Sequence, residues 1–517
     1  MRSAVTLAVI LSAIAVILSE AKDLAVNCEI PRCARNDKKG ARNDKKGARN
    51  DKKGARNDLL VLVLLVSACT VGPRYERPAV DAPAAYRAAP AGDTVRSASL
   101  GDEKWWEVFR DAELRILIER ALKENYDVRI AAARVLQARA QLTITRADQS
   151  PTVTGGAAAS AVRTPETTRG GITIPASTDP LFRLDALLSW EIDFWGKFRS
   201  ATEAERANLL GARWAVRAVL VSVVNLVAQG YFTLRELDLE LAIARRTLAA
   251  REESLRLVRI QEAGGVVSLL DVRQAEQLAY TAASVITNTE RLIEQQENAL
   301  SILLGQNPGP IPRGLALVDQ PEPPRIPAGI PSALLERRPD IRQAELALIA
   351  ANARIGVAKA DYYPAISLTA DAGFQSNALT RLLSGPGVLW SVAGDAVQRV
   401  FDAGRIKGKV QLTEAQKLEL VYAYQRTVLQ AFREVSDALV GHQKARELRE
   451  QLTQLVASTQ DAARLSDIRY RGGVSSYLEV LTSQTSFFNA ELTLAQARLG
   501  ELLSLVQLYA ALGGGWE

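Results

Sequence analysis

Two stretches of this chain, residues 197–263 and 405–471, contain no proline and only two glycines each. Both are rich in Ala, Leu, Arg and Glu, which lose little side-chain freedom on entering a helix. A helix of that length runs about 100 Å at 1.5 Å per residue, which predicts rods rather than a globule. In the second stretch Leu418, Val421, Gln425, Val428, Phe432, Val435 and Leu439 are spaced by threes and fours. That is a coiled-coil seam with one polar break. Leu420, Ala431 and Ala438 form a second apolar set off the seam, so this helix wants a neighbour on each side.

The rods come in two copies because the chain is duplicated. GGVVSLLDV at 264–272 returns as GGVSSYLEV at 472–480, 208 residues later. Leu303-Leu304-Gly305 matches Ala511-Leu512-Gly513 at the same offset. Upstream the offset becomes 213: Asp127 pairs with Asp340, and Pro151 with Pro364. Two nearby offsets separated by one small indel are the mark of an internal repeat. Shorter helices are expected over 113–148, 268–304, 331–363 and 476–511, and two of these end to end match one long helix. Each Gly-Gly phrase ends a long helix, since Gly adopts the left-handed conformation that stops one. Ser268 and Ser476 are placed to cap the returning helices.

Between the rods the period changes to two. Phe182, Leu184, Ala186, Leu188, Trp190, Ile192 and Phe194 alternate with Arg183, Asp185, Leu187, Ser189, Glu191 and Asp193. Ile366, Leu368, Ala370, Ala372 and Phe374 alternate with Ser367, Thr369, Asp371 and Gly373. Such segments are strands wet on one face. With 152–163 and 388–400 they make four, each about long enough to cross a bilayer at a tilt. Four strands cannot close a barrel, and open edges in lipid are too costly, so several chains must pool them or the sheet is soluble.

The net charge of +6 lies wholly before residue 59, within a run that repeats ARNDKKG; the 51 basic and 51 acidic side chains after it balance. A basic pI therefore says nothing about a nucleic-acid groove. Residues 59–69, LLVLVLLVSAC, follow Arg and Lys and end in the lipobox-like Val66-Ser67-Ala68-Cys69. Cys69 is expected to become a lipidated N-terminus; it is the only cysteine after the leader. No catalytic constellation is legible. His442 is the only histidine and has no Cys or second His with which to share a metal. No phosphate or dinucleotide loop opens a helix. Neither an enzyme nor a cofactor or metal site is expected, and Trp105 and Trp106 are read as packing residues.

The residues resemble the outer membrane factors of tripartite export systems, the TolC-like channels, in their lipid-anchored NodT-type branch. Cys69-Thr-Val-Gly-Pro-Arg-Tyr-Glu-Arg-Pro78, Trp105-Trp106 and Arg337-Arg-Pro-Asp-Ile-Arg-Gln-Ala-Glu345 carry the resemblance. Ile355-Gly-Val-Ala358, Tyr362-Tyr-Pro-Ala-Ile-Ser-Leu368 and Leu508-Tyr-Ala-Ala-Leu-Gly-Gly-Gly-Trp516 extend it over the whole chain from Cys69. The resemblance implies a mainly α protein with membrane β. Long helical hairpins build a periplasmic α-barrel, and four strands per protomer complete a trimeric twelve-stranded β-barrel. It implies a passive exit duct in the bacterial outer membrane, served by a periplasmic membrane fusion (adaptor) protein and an inner-membrane pump of the RND type.

It also implies roles for residues. The tips Gly264, Gly265, Val266 and Ser268, and Gly472, Gly473, Val474 and Ser476, would meet the adaptor. Leu465, Asp467 and Arg259 would form a periplasmic gate, through an acidic ring or an Asp467–Arg259 link, unless they are ordinary solvated helix residues. A periplasmic coiled-coil adaptor or scaffold lipoprotein is the alternative, but it would not need four bilayer-length strands. The expected organisation is a leader with the ARNDKKG units and signal over 1–68 and an anchored N-terminal segment over 69–112. A first repeat follows over 113–310, with its strand pair in 152–194, then a Pro-rich linker over 311–330. The second repeat occupies 331–517, with its strand pair in 365–400.

Overall fold

Helix and strand follow one another in the order the duplication demands. The computed structural model describes residues 71–83, 86–87, 99–321 and 331–514, so Cys69 and the leader lie outside the described residues. In chain order the main elements are α1 (Trp105–Val108), α2 (Ala112–Glu124), α3 (Tyr126–Ala147), β1 (Thr152–Thr164), β2 (Thr167–Arg169), β3 (Ile172–Ile174) and β4 (Ser177–Ile192). They continue with α4 (Lys197–Ala263), α5 (Leu269–Leu303), α6 (Leu334–Arg337), α7 (Pro339–Ala360), β5 (Ala365–Ser376), β6 (Val388–Val397), α8 (Arg405–Arg471) and α9 (Tyr477–Ala511). The chain divides into a sheet unit, Gln149–Trp195 with Tyr363–Val400, and a helical unit holding the remaining described residues.

In the helical unit the long α4 packs against α3, α5, α7 and α9, and the long α8 packs against α7 and α9. The shorter helices meet end to end. Asn125 caps α3 through its Oδ1, which accepts from the Asp127 and Val128 N–H groups, while its Nδ2 donates to the Leu303 carbonyl of α5 at 2.9 Å. At the equivalent place in the second half, Arg338 Nη1 donates to the Ala511 carbonyl of α9 at 3.2 Å. These joints explain why the expected continuous helices differ in detail. The helix expected over 113–148 breaks at Asn125, whose side chain caps the next helix instead of continuing the last. The helix expected over 331–363 opens as short turns and restarts at Pro339, which presets the first helical turn.

The main core lies around these joints. Leu100, Trp105, Leu114, Ile118, Val227, Tyr231, Leu304, Tyr424, Val428 and Leu508 all pack in it. Trp105 is buried and meets Trp106 edge-on at 5.2 Å, so this pair does pack. The expected seam on α8 is half realised: Val428, Phe432, Val435 and Leu439 are buried, whereas Leu418 is 51% exposed. Asp111 ties the centre together, accepting from Tyr231, Gln320 and the Leu315 N–H. Burial pushes its carboxyl up, but hydrogen bonds from Gln320, Tyr231 and the Leu114 and Glu113 N–H groups outweigh that and hold it below the usual range.

The sheet unit is built on a four-stranded antiparallel sheet in the order β1-β4-β5-β6, with β2 and β3 paired separately. Phe182 faces Ser376 and Leu188 faces Ala370, which puts the apolar residues of adjacent strands on one face. β4 begins at Ser177, five residues before the first alternating apolar residue, and the connection from β1 to β4 contains the β2–β3 hairpin. Gly170 and Gly171 turn that hairpin with positive φ.

Candidate functional site

The hairpin tips are built from the backbone outward. At the first, Gly265 has φ +73° and donates to the Glu262 carbonyl, while Val266 donates to the Gln261 carbonyl at 2.9 Å. At the second, Gly473 has φ +71°, and Val474 donates to the Arg469 carbonyl at 3.0 Å. Both are Schellman stops, in which a left-handed glycine lets the last carbonyls of the helix find donors. Gly264 and Gly472 stay right-handed and close the helices. The stop leaves Val266 and Val474 at the apex, 75% and 69% exposed.

The two caps differ. Ser268 forms a capping box: its Oγ accepts from the Asp271 N–H, and Asp271 accepts from the Ser268 N–H at 2.9 Å. Ser476 was expected to cap α9 in the same way, but its side chain makes no cap hydrogen bond. The reason is three residues on. Glu479 stands where Asp271 stood, and its longer side chain pairs with Arg469 at 3.1 Å.

The expected gate residues are drawn to partners within their own hairpins. Arg259 bonds Glu276 of α5 at 2.9 Å, and Asp467 pairs with Arg471 one turn along α8 at 2.9 Å. In the single chain, therefore, no Asp467–Arg259 link forms; nearer partners of opposite sign win. Leu465 stands 47% exposed on the same helix. Close to the tips the two hairpins are joined through Tyr470, whose hydroxyl donates to Gln261 Oε1 at 2.9 Å. Burial first, and then the Asp271 carboxylate, push the Tyr470 phenol above its ordinary value, so it remains a donor. Beneath it Leu255, Val258, Val272, Tyr477, Val480 and Leu481 form a small core shared by the tips. Sequence reasoning missed Tyr470 because a tyrosine beside a helix stop reads as packing. It missed Arg251 as well, which is 3% exposed, donates to the Leu278 carbonyl at 2.7 Å and lies over the Phe488 ring.

The sheet supplies two contrasting faces. On one, Leu184, Leu188, Trp190, Leu368, Phe374 and Val392 stand together; on the other, Arg183, Asp185, Ser189, Thr369, Asp371 and Ser391 do. The apolar face suits lipid and the polar face suits water. Among the described residues no group of His, Cys, Asp and Glu is arranged to hold a metal ion.

Known proteins share these features. The model of the family "Outer membrane efflux protein" matches residues 117–306 and 330–514. The chain is 36% identical over 465 residues to the probable efflux pump outer membrane protein TtgC of Pseudomonas putida, covering 89% of this chain and 95% of that one. It is 32% identical over 457 residues to the cation efflux system protein CusC of Escherichia coli O157:H7, covering 88% and 98%. The open-state crystal structure of the MtrE outer membrane channel of Neisseria gonorrhoeae superposes with a TM-score of 0.78 at 31% identity, covering 87% and 99%. The fold is that of the trimeric efflux channels, and the family comprises transport ducts rather than enzymes. With the matched repeats covering most of its length, this chain belongs to the outer membrane efflux protein family and is an outer-membrane channel of an efflux system.

Proposed function

We propose that three copies of this chain pool their sheets into one closed barrel and their hairpins into one periplasmic tunnel. That tunnel is the passive exit duct of a tripartite system. The observation that carries this reading is the single four-stranded sheet with one apolar and one polar face and free edges at β1 and β6. Edges in lipid must be paired, and copies of the same chain supply the partners. Cys69 is the lipid attachment point in this reading, adding an acyl anchor to the barrel. The partners are a periplasmic membrane fusion protein and an inner-membrane pump of the RND type.

The tips are the adaptor-contact site. Gly264, Gly265, Val266 and Ser268 present one apex, and Gly472, Gly473, Val474 and Ser476 the other; the exposed valines support the assignment. Leu465, Asp467 and Arg259 act at the periplasmic gate. Their present ion pairs, within each hairpin, leave Asp467 37% exposed and able to contribute to an acidic ring.

The test is electron microscopy of detergent-solubilised protein in which Cys69→Ser follows an ordinary signal. The expected particle has three-fold symmetry, is far longer than wide and carries a detergent belt at one end. A detergent-free monomer or flexible rod would instead favour a scaffold lipoprotein. Val266→Asp with Val474→Asp is expected to abolish cross-linking to the adaptor while leaving the trimer intact. Undiminished cross-linking would remove the tips from the contact.

A further inference from the structure

The polar face of the sheet is far from neutral. By the pairing register it carries Asp179, Asp185, Glu191, Asp371 and Asp395 against a single guanidinium, Arg183, a net of −4 per chain. The opposite face carries one charge, Arg163, near the β1 end. The acidic residues are not scattered evenly. Arg183 donates its Nε to Asp185 Oδ2 at 3.2 Å on its own strand, and its Nη2 to Asp371 on β5. One cation thus serves two carboxylates, and Asp371 Oδ1 has no partner among the described residues.

The backbone around this cluster is pared down to make room. Both cross-strand neighbours of Asp185 are glycine: Gly156 on β1 and Gly373 on β5. A Cβ at 156 would stand 3.0 Å from Asp185 Oδ1, and one at 373 would stand 2.6 Å from the Asp185 Cα. Side chains there would push Asp185 off its partners. The strands therefore hold a cation between two carboxylates, with the positions on either side of Asp185 bare of side chains.

We infer that the Asp185–Arg183–Asp371 clusters of three copies form a selectivity ring on the inner wall of the barrel, favouring cationic over anionic solutes. The inference rests on the proposed trimeric barrel, in which the polar face is the luminal one. Three copies bring 15 carboxylates and 3 guanidinium groups to that wall, a net of −12. A ring of like charge in a confined aqueous path concentrates counter-ions and excludes co-ions. Arg183 has two effects here: it holds the carboxylates in place, and it lowers the net charge of each cluster to −1. Neutralising an aspartate and neutralising the arginine should therefore shift selectivity in opposite directions.

The test uses the full-length protein in planar bilayers under a salt gradient, with the cation-to-anion permeability ratio read from the reversal potential. The native channel is expected to be cation-selective. Asp371→Asn and Asp185→Asn should each lower the ratio by about twofold or more, and Arg183→Gln should raise it. A ratio unmoved by all three substitutions, or an anion-selective native channel, overturns the ring. Thiol labelling from water separates that failure from failure of the barrel. Thr369→Cys on the polar face should react with a charged methanethiosulfonate, the cationic reagent faster than the anionic. Leu368→Cys on the apolar face should be shielded by detergent or lipid. The reverse pattern would overturn the luminal assignment and the trimeric duct with it. Equal rates for the two reagents at position 369 would overturn the ring alone.

Discussion

The two halves of the duplicated chain share a backbone and solve the same local problems with different chemistry. Where α5 meets α3, a neutral Asn125 caps one helix and donates to the end of the other. Where α9 meets α7, the equivalent residue is Arg338, mostly buried, bonded to the Ala511 carbonyl, Asp340 and Glu434. The position matching Glu434 in the first half is Leu226, 45% exposed. The charged joint also borders a cavity of about 530 Å³, lined by Arg338, Asp340, Glu434, Asn225 and Gln507 among others. The first joint is closed by backbone, for a Cβ on Gly305 would run into the Glu124 carbonyl oxygen. At the second, the atoms nearest a Cβ on Gly513 are all side-chain atoms, of Arg337 at 3.0 Å and Arg338 at 3.3 Å. A duplication thus preserves backbone geometry, which packing enforces, and leaves side chains free to diverge wherever either chemistry satisfies the same carbonyl.

Substitutions at the joints test that contrast most strongly. Arg338→Ala strips three partners at once, the donor to the Ala511 carbonyl included, while the carboxylates of Asp340 and Glu434 can turn to water, an expected loss of about 2 kcal/mol. Asn125→Ala loses a cap and one donor, about 1 kcal/mol. The apparent melting temperature of the purified protein in detergent reads both, and equal losses would break the distinction between charged and neutral joints. Gly305→Ala should follow, at about 2 kcal/mol, because backbone must yield; Gly513→Ala should cost roughly half as much, because side chains rather than backbone must move. Finding Gly513→Ala the worse of the two would contradict the backbone-closed first joint.

The tips sharpen the same comparison on a smaller scale. Ser268→Ala removes a working cap and should cost about 1 kcal/mol, whereas Ser476→Ala should lie within a few tenths of native. Hydrogen exchange at the first turns of α5 and α9 would register the difference locally, and matching effects would show that Ser476 caps after all.

A final contrast is read as a slope in pH. Glu236 on α4 is 5% exposed, whereas its counterpart Lys444 on α8 is exposed and paired with Glu447. Burial, then the neighbouring Glu240, push the Glu236 carboxyl up to about 8. In the folded protein it holds its proton at neutral pH, while in the unfolded chain it ionises near the ordinary carboxylate value of 4.5. Folding stability from this group is therefore fully present below that value and is lost as pH rises toward about 8. Glu236→Gln should flatten this part of the profile between acid and mildly alkaline pH. An unchanged slope would place the alkaline sensitivity elsewhere.

Much of this architecture was legible in the chain because it rests on periodicity. A run without proline that steps by threes and fours can hardly be anything but a long helix, and alternation with charges on every second residue marks a one-faced strand. The repeat offset places both tips, and the left-handed glycines of the Schellman stops stand in the Gly-Gly phrases. Partner choice was less legible. Asp467 and Arg259 are equivalent positions of opposite sign in the two repeats, yet each pairs within its own hairpin, with Arg471 one turn away and with Glu276 across the turn. The same spacing of serine and acid that makes a capping box at Ser268 fails at Ser476, because one methylene and a nearby Arg469 send Glu479 elsewhere.

By itself the sequence determined the rods, their turns, the four strands of the main sheet and the alternation of apolar and polar side chains along β4 and β5. All of these follow from local conformational preference and burial pattern, which act within a few residues. Only the tertiary structure decided that Asn125 and Arg338 join helices end to end, that Tyr470 ties one hairpin to the other, and that Arg183 spans Asp185 and Asp371. Those contacts link positions up to 209 residues apart. Their partners are chosen by distance and orientation once the rods are packed, and nothing in a local stretch of chain encodes which of several opposite charges or free carbonyls will lie closest.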